Sequence, residues 1–181
     1  MPFRGSNFGF LGYLPTGLEL EVDRILEIAC VITDGKLTTS MEGPDLVINQ
    51  SKECLDNMGE WCREHHAASG NKLCKESYWV SNASFGWKFR ICGLHVSEEA
   101  EVYACKSVVA MKYMPCLAGI FPHVLVDVSS ITALCMRWFP KERKAAPTKE
   151  KRHRAMDDIK ESIRELKYYK ESIFKGFRKS K

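Results

Sequence analysis

His153-Arg154-Ala155-Met156-Asp157-Asp158-Ile159-Lys160-Glu161-Ser162 joins a basic approach, an acidic pair and the start of an apolar stripe. From Met156 onward the apolar residues Met156, Ile159, Ile163, Leu166 and Ile173 recur at helical spacing with charge between them, which predicts a closing amphipathic helix. Asp157 and Asp158 then fall in its first turn, where unpaired backbone N–H groups and the helix dipole favour carboxylates. His153 stands just outside, on a basic approach. A histidine and a carboxylate at a helix entrance can face one cleft, the first as base and the second as metal ligand. Spacing alone more commonly means an ordinary helix with an acidic first turn.

Working back from that helix, residues 141–152 (KERKAAPTKEKR) read as a basic, proline-broken loop. Its cations could attract phosphate, although a solvated loop is the commoner explanation. Val124-Leu125-Val126-Asp127-Val128 is a continuous apolar run of the kind found in a buried strand. Ser129 or Ser130 then caps a helix through Ile131, Leu134 and Trp138 that stops before Pro140.

At the other end, Phe8 to Leu14 predicts a short strand closed by Pro15, and Thr16-Gly17-Leu18 reads as a turn. Arg24 to Gly35 (RILEIACVITDG) is a β-rich run closing on Asp-Gly, a hairpin signal, and Asp45 to Asn49 is the next strand. These form an antiparallel meander at the front of a mixed sheet. Residues 51–66 (SKECLDNMGEWCREHH) look helical, with Ser51 as N-cap. From Asn71 to about Val109 turn residues interrupt every periodicity. Strands first, helices interspersed and a long closing helix argue for a single α/β domain over residues 1–181 with helices flanking the sheet.

The 181 residues are 45% hydrophobic and 28% charged, the balance of a soluble globular protein, and the net charge of +4 permits an anionic partner without demanding one. The eight cysteines are scattered, with no CxxC pair. No signal peptide is read at the N-terminus, since the apolar Phe8 to Leu14 is short and broken by Gly9 and Gly12. Reduced thiols in an intracellular compartment are expected, the cytoplasm first and the mitochondrion as the alternative. No apolar run approaches a membrane span, so no membrane partner is expected. A zinc site from Cys54, Cys62, His65 and His66 has a spacing that fits no common zinc module.

Several blocks, in order, carry a family likeness: Thr16-Gly17-Leu18, Asp23 to Cys30 (DRILEIAC), Glu42-Gly43-Pro44, Trp61-Cys62-x-x-His65-His66-x-x-Ser69-Gly70, Asp127-Val128-Ser129, Arg137-Trp138 and His153 to Ser162. Together they closely resemble oligoribonuclease, a 3′→5′ exoribonuclease of the DEDDh superfamily. The likeness covers residues 16–70 and 112–175, with 71–111 divergent. It implies a ribonuclease-H-like fold, a homodimer, short single-stranded RNA as substrate, and two divalent metals, Mg²⁺ or Mn²⁺, held by four carboxylates. By the same resemblance His153 is the general base and Asp158 the last metal carboxylate. Leu18 wedges against bases, and Trp61 with His66 lines the pocket for the terminal nucleotide, as stacking on unpaired bases requires. Ser129 could help hold a terminal phosphate.

Three carboxylates of that pattern are missing. The first strand should end in Asp-x-Glu, but glycine and leucine stand there in Gly12-Tyr13-Leu14-Pro15-Thr16-Gly17-Leu18. The block before Lys112-Tyr113-Met114-Pro115 holds no aspartate; Lys106, Val109 or Ala110 takes its place according to register. Glu19 and Glu21, on the loop after the turn, or Glu98, Glu99 and Glu101 are the carboxylates that could substitute. One carboxylate and a histidine should not hold two mutually repelling dications, so the expectation is the family's fold and ancestry with little or no catalysis. Three functions follow as alternatives: an active exoribonuclease, a non-catalytic relative that binds short RNA or pairs with an intact paralogue, and a defective splice or frame variant in which residues 71–111 fail to complete the sheet.

Overall fold

A computed structural model describes residues 7–17, 19, 21–48, 50–60, 62–64, 126–150 and 154–174. The centre of the described fold is the strand with the longest apolar run. β2 (Ile25–Asp34) is buried from Ile25 through Thr33, on both of its faces. β1 (Asn7–Pro15) and β3 (Ser40–Val47) flank it, and both pair with it antiparallel, in the order β1-β2-β3. The register sets Gly12 opposite Ala29 and Leu14 opposite Glu27.

The meander is therefore as the sequence predicts, but the third strand starts earlier than the apolar Asp45–Asn49 run suggested. Its first residues, Ser40, Met41 and Glu42, are exposed, and pairing with β2 rather than burial makes them a strand. The Asp34-Gly35 signal opens a five-residue loop, not a two-residue turn. The Asp34 carboxylate accepts from the Thr38 N–H (2.7 Å), the Thr39 N–H (3.1 Å) and the Thr38 hydroxyl, an Asx-type closure that holds a longer loop. Leu37, buried inside it, has φ 57°, a left-handed conformation that an L side chain adopts only when its surroundings hold it there.

The expected helix over 51–66 is broken. α1 (Lys52–Asp56) is capped by Ser51, whose hydroxyl accepts from the Cys54 N–H at 3.2 Å, but it ends at Asn57. Asn57-Met58-Gly59 interrupts it before helical backbone resumes at Glu60 and Cys62–Glu64.

α2 (Val128–Trp138) starts ahead of the predicted caps. Asp127 is the N-cap, its carboxylate accepting from the N–H groups of Ser129 (3.0 Å) and Ser130 (3.1 Å). That capture pulls Val128 out of the strand read at Val124–Val128; Val124 and Leu125 lie outside the described residues. Where a loop over 141–152 was expected, Pro140 opens the short helix α3 (Pro140–Ala145), because proline pre-sets the first helical φ.

α4 (Ala155–Ser172) is the predicted closing helix and lies across β1 and β2. Leu14, Ala29 and Val31 of the sheet pack there with Ala155, Met156 and Ile159, flanked by Phe10 and Ile163. Burying each of the larger side chains contributes roughly 1.5–3 kcal/mol. Further along α4, Tyr169 and Ile173 form a second cluster with Cys135 of α2 and Ala146. Between the clusters, Glu165 accepts from the hydroxyls of Thr132 and Tyr169 (both 2.9 Å) and pairs with Lys149 at 3.2 Å. Burial pushes the Glu165 carboxyl up, but those three partners outweigh it and hold it below its ordinary value.

A lowered carboxyl contributes stability above its unfolded value and loses it as pH falls through its folded value. Thermal unfolding between pH 7 and pH 3 should therefore show an acid limb that begins near pH ~4.5 and is shallower in Glu165→Gln. Equal acid limbs in the two proteins would remove Glu165 as its source.

Candidate active site

Of the site read from the sequence, the described residues include Asp158 at the start of α4 and the changed positions Gly12 and Leu14 of β1, which pack against that start. β1 runs into a loop tied by one carboxylate. Asp23 accepts from the Thr16 hydroxyl and from the Glu19 N–H, both at 2.7 Å, while the Thr16 N–H donates to the Arg24 carbonyl at 2.8 Å. Only glycine fits beside this knot, since a Cβ on Gly17 would lie 2.5 Å from an Asp23 carboxylate oxygen. Gly17→Ala should open the loop and cost roughly 1–3 kcal/mol, measured by urea unfolding; unchanged stability would show that Asp23 can move away. Glu19 and Glu21, the nearest substitute carboxylates in sequence, are both exposed.

The start of α4 is fixed by a buried carboxylate from the sheet. Glu27 is fully buried on β2. Arg154 Nε lies 3.0 and 3.1 Å from its two oxygens, and the Ala155 N–H donates to it at 3.0 Å. Glu27 thus satisfies a free N–H at the helix entrance and neutralises the cation beside it. Burial pushes its carboxyl above the ordinary value while Arg154 and the Ala155 N–H pull it back. This clamp was missed in the sequence, although one signal was there: a lone glutamate inside an otherwise apolar strand must find a partner.

Asp158 sits in the first turn of α4, half-buried, its N–H donating to the Arg154 carbonyl at 2.9 Å. Its neighbour Asp157 lines an open cavity of about 320 Å³ with Glu150, Lys160, Glu161 and Arg164. Ser129 is exposed at the start of α2, and the Asp127 carboxylate takes its backbone N–H. Ser129 and Asp158 are thus on different helices, α2 and α4. His153, Leu18, Trp61 and His66 lie outside the described residues, as do Lys106, Val109, Ala110, Glu98, Glu99 and Glu101. Of the four residues whose spacing fits no common zinc module, Cys54 and Cys62 are half-buried free thiols, and His65 and His66 are outside the described residues.

Gly12 and Leu14 face this same end of α4. A Cβ on Gly12 would meet the Ala155 carbonyl and Ile159, and Leu14 packs with Ala155, Met156 and Ile159. Hard divalent cations need clustered oxygen ligands. Here the strand offers hydrogen and hydrocarbon, and the one buried carboxylate nearby, Glu27, is engaged by Arg154 and Ala155. No group of three or more His, Cys, Asp or Glu able to hold a metal occurs among the described residues. The described residues do not fit a pair of divalent cations. No described helix is long and apolar enough to cross a membrane.

Against known proteins, the RNase_T family, described as an exonuclease, matches residues 15–166. The oligoribonuclease of Arabidopsis thaliana is 54% identical over 169 residues, covering 90% of this chain and 76% of that protein. The mitochondrial oligoribonuclease of Bos taurus is 43% identical over 167 residues, covering 88% of this chain and 70% of that one. Among solved structures, the zinc-bound complex of Escherichia coli exonuclease I with single-stranded DNA superposes with a TM-score of 0.68 at 17% identity. It takes in 96% of this chain but only 42% of exonuclease I, a likeness of fold.

Proposed function

Because the chain belongs to the exonuclease family that includes the oligoribonucleases, with their ribonuclease-H-like α/β fold, we propose that it binds the ends of short single-stranded RNA without hydrolysing them. Exonucleases of this family depend on divalent metal, which when bound activates water and stabilises the charge that develops at phosphorus. One observation carries the non-catalytic reading: the two β1 positions that face the first turn of α4 are Gly12 and Leu14, packed against Ala155 and Ile159. On this reading β1 supplies no carboxylate toward the Mg²⁺ or Mn²⁺ pair for which Asp158 and His153 match the family's residues. Leu18, Trp61, His66 and Ser129 keep the family's residue types for gripping a base and a terminal phosphate, and residues 1–181 act as one domain.

Labelled dinucleotide incubated with the purified chain and Mn²⁺ should remain intact beside an active relative that consumes it, yet be retained in equilibrium dialysis. Turnover would end the non-catalytic reading, and loss of retention would end the binding reading.

We also propose a homodimer, supported by apolar side chains that α2 leaves in solvent. Leu134, Met136 and Trp138 are 44%, 59% and 65% exposed, and Leu134 and Trp138 stand one turn apart on one stripe. Trp138→Lys should shift the protein toward a monomer in sedimentation; an unshifted profile would place the contact elsewhere. We place the protein inside the cell, in the cytoplasm or, as in the bovine relative's name, the mitochondrion.

A further inference from the structure

The ground where β1 faces α4 is filled. A Cβ built on Gly12 would lie 2.7 Å from the Ala155 carbonyl oxygen and 2.8 and 3.1 Å from Ile159 Cγ1 and Cδ1. Such distances are inside van der Waals contact, and only one of the two obstacles is a side chain that can change rotamer. The other is the first carbonyl of α4, whose position is set by Glu27 through Arg154 and the Ala155 N–H. To admit a side chain at position 12, the helix entrance itself must move, and it is tied to β2. Two residues along, Leu14 is 7% exposed within the Ala29–Val31–Ala155–Met156–Ile159 cluster. A carboxylate there would enter hydrocarbon, with Glu27 and its negative charge directly across the strand pair.

We propose that this packed seam, and not only the loss of the two β1 carboxylates among the three missing, excludes the family's metals from the chain. α4 rests on β1 at a distance only glycine allows, and helix backbone and hydrocarbon take the volume that ligand oxygens and cations would need. The inference rests on the non-catalytic reading above and deepens it. The loss is locked in by packing, so replacing the two residues with carboxylates does not return the metals. Nor is the substitution of Gly12 neutral, even by a single methyl group.

Two measurements decide it. Gly12→Ala should lower Tm by roughly 3–10 °C, since an added methyl in a close contact strains a domain of this size by that amount. The double variant Gly12→Asp/Leu14→Glu, titrated with Mn²⁺ alone in a calorimeter, should show no saturable uptake at micromolar metal. An unchanged Tm for Gly12→Ala would overturn the seam. So would near-stoichiometric Mn²⁺ uptake by the double variant with its Tm preserved. If the double variant does not fold, the Gly12→Ala shift decides alone. Dinucleotide turnover by the unaltered chain is a separate outcome: it defeats the non-catalytic reading, whereas Mn²⁺ uptake by the double variant with a silent parent defeats only the seam.

Discussion

Arg154→Ala loses roughly 2–3 kcal/mol of folding stability, seen as a fall of about 1 M in the urea midpoint. The asymmetry of the pair sets the size. Glu27 is completely buried and Arg154 is 37% exposed, so removing the arginine leaves a carboxylate in the core with only the Ala155 N–H for company. Breaking a buried pair on one side costs about 3–5 kcal/mol, and the exposure of Arg154 brings the value to the lower end or below. Glu27→Gln should cost less, because the amide oxygen can still accept from Ala155 and the freed guanidinium can reach water.

The pH dependence separates this account from simple loss of packing. Without Arg154 the Glu27 carboxyl rises further above its ordinary value. A raised carboxyl favours the folded state at low pH and loses that contribution as pH rises through its folded value. The deficit of Arg154→Ala relative to the unaltered chain should therefore be largest at neutral pH and shrink on acidification. A deficit that is constant from pH 7 to pH 4 would mean that charge is not its cause.

Tyr169→Ala should cost about 3–5 kcal/mol and Tyr169→Phe about 1 kcal/mol, both read by chemical denaturation. The ring is wholly buried among Cys135, Ala146 and Ile173, edge-on to Tyr168 at 5.8 Å. Its hydroxyl donates to Glu165 at 2.9 Å, and with burial first among the causes its own ionisation is pushed up to about 12, so it remains a donor at any working pH. The alanine variant removes the wedge that fixes α2 and α3 against α4; the phenylalanine variant removes only one bond to a carboxylate that Thr132 and Lys149 still hold. Near-equal losses would mean that the hydroxyl, and not the ring, carries the contact.

What could be read in the residues follows from how local each signal is. β2 was legible because nine successive buried residues, apolar but for Glu27 and Thr33, leave a β-rich run, and α4 because its stripe and acidic entrance are both short-range patterns. The ends of elements were harder. Asp127 took the cap assigned to Ser129 or Ser130 because all three neighbouring side chains can cap a helix start and only geometry chooses between them. α3 was hidden because a proline after a helix reads as a stop, and equally as a first helical residue. In the candidate site, the family blocks pointed to Asp158 and to the changed positions 12 and 14. They could not reveal that Gly12 is pressed against the Ala155 carbonyl, which depends on a contact between chain segments far apart in sequence. The clamp on Arg154 spans 127 positions, and no window of local pattern reaches that far.

That span bears on how the protein is made. The ribosome delivers the three-strand meander long before residue 154 emerges, so the face bearing Leu14, Ala29 and Val31 waits in water with the Glu27 carboxylate uncovered. Closing so long a loop is slow, and an open apolar strand face invites association in the meantime. A nascent chain stalled before α4 should hold chaperones, and release them only once the last helix has left the exit tunnel.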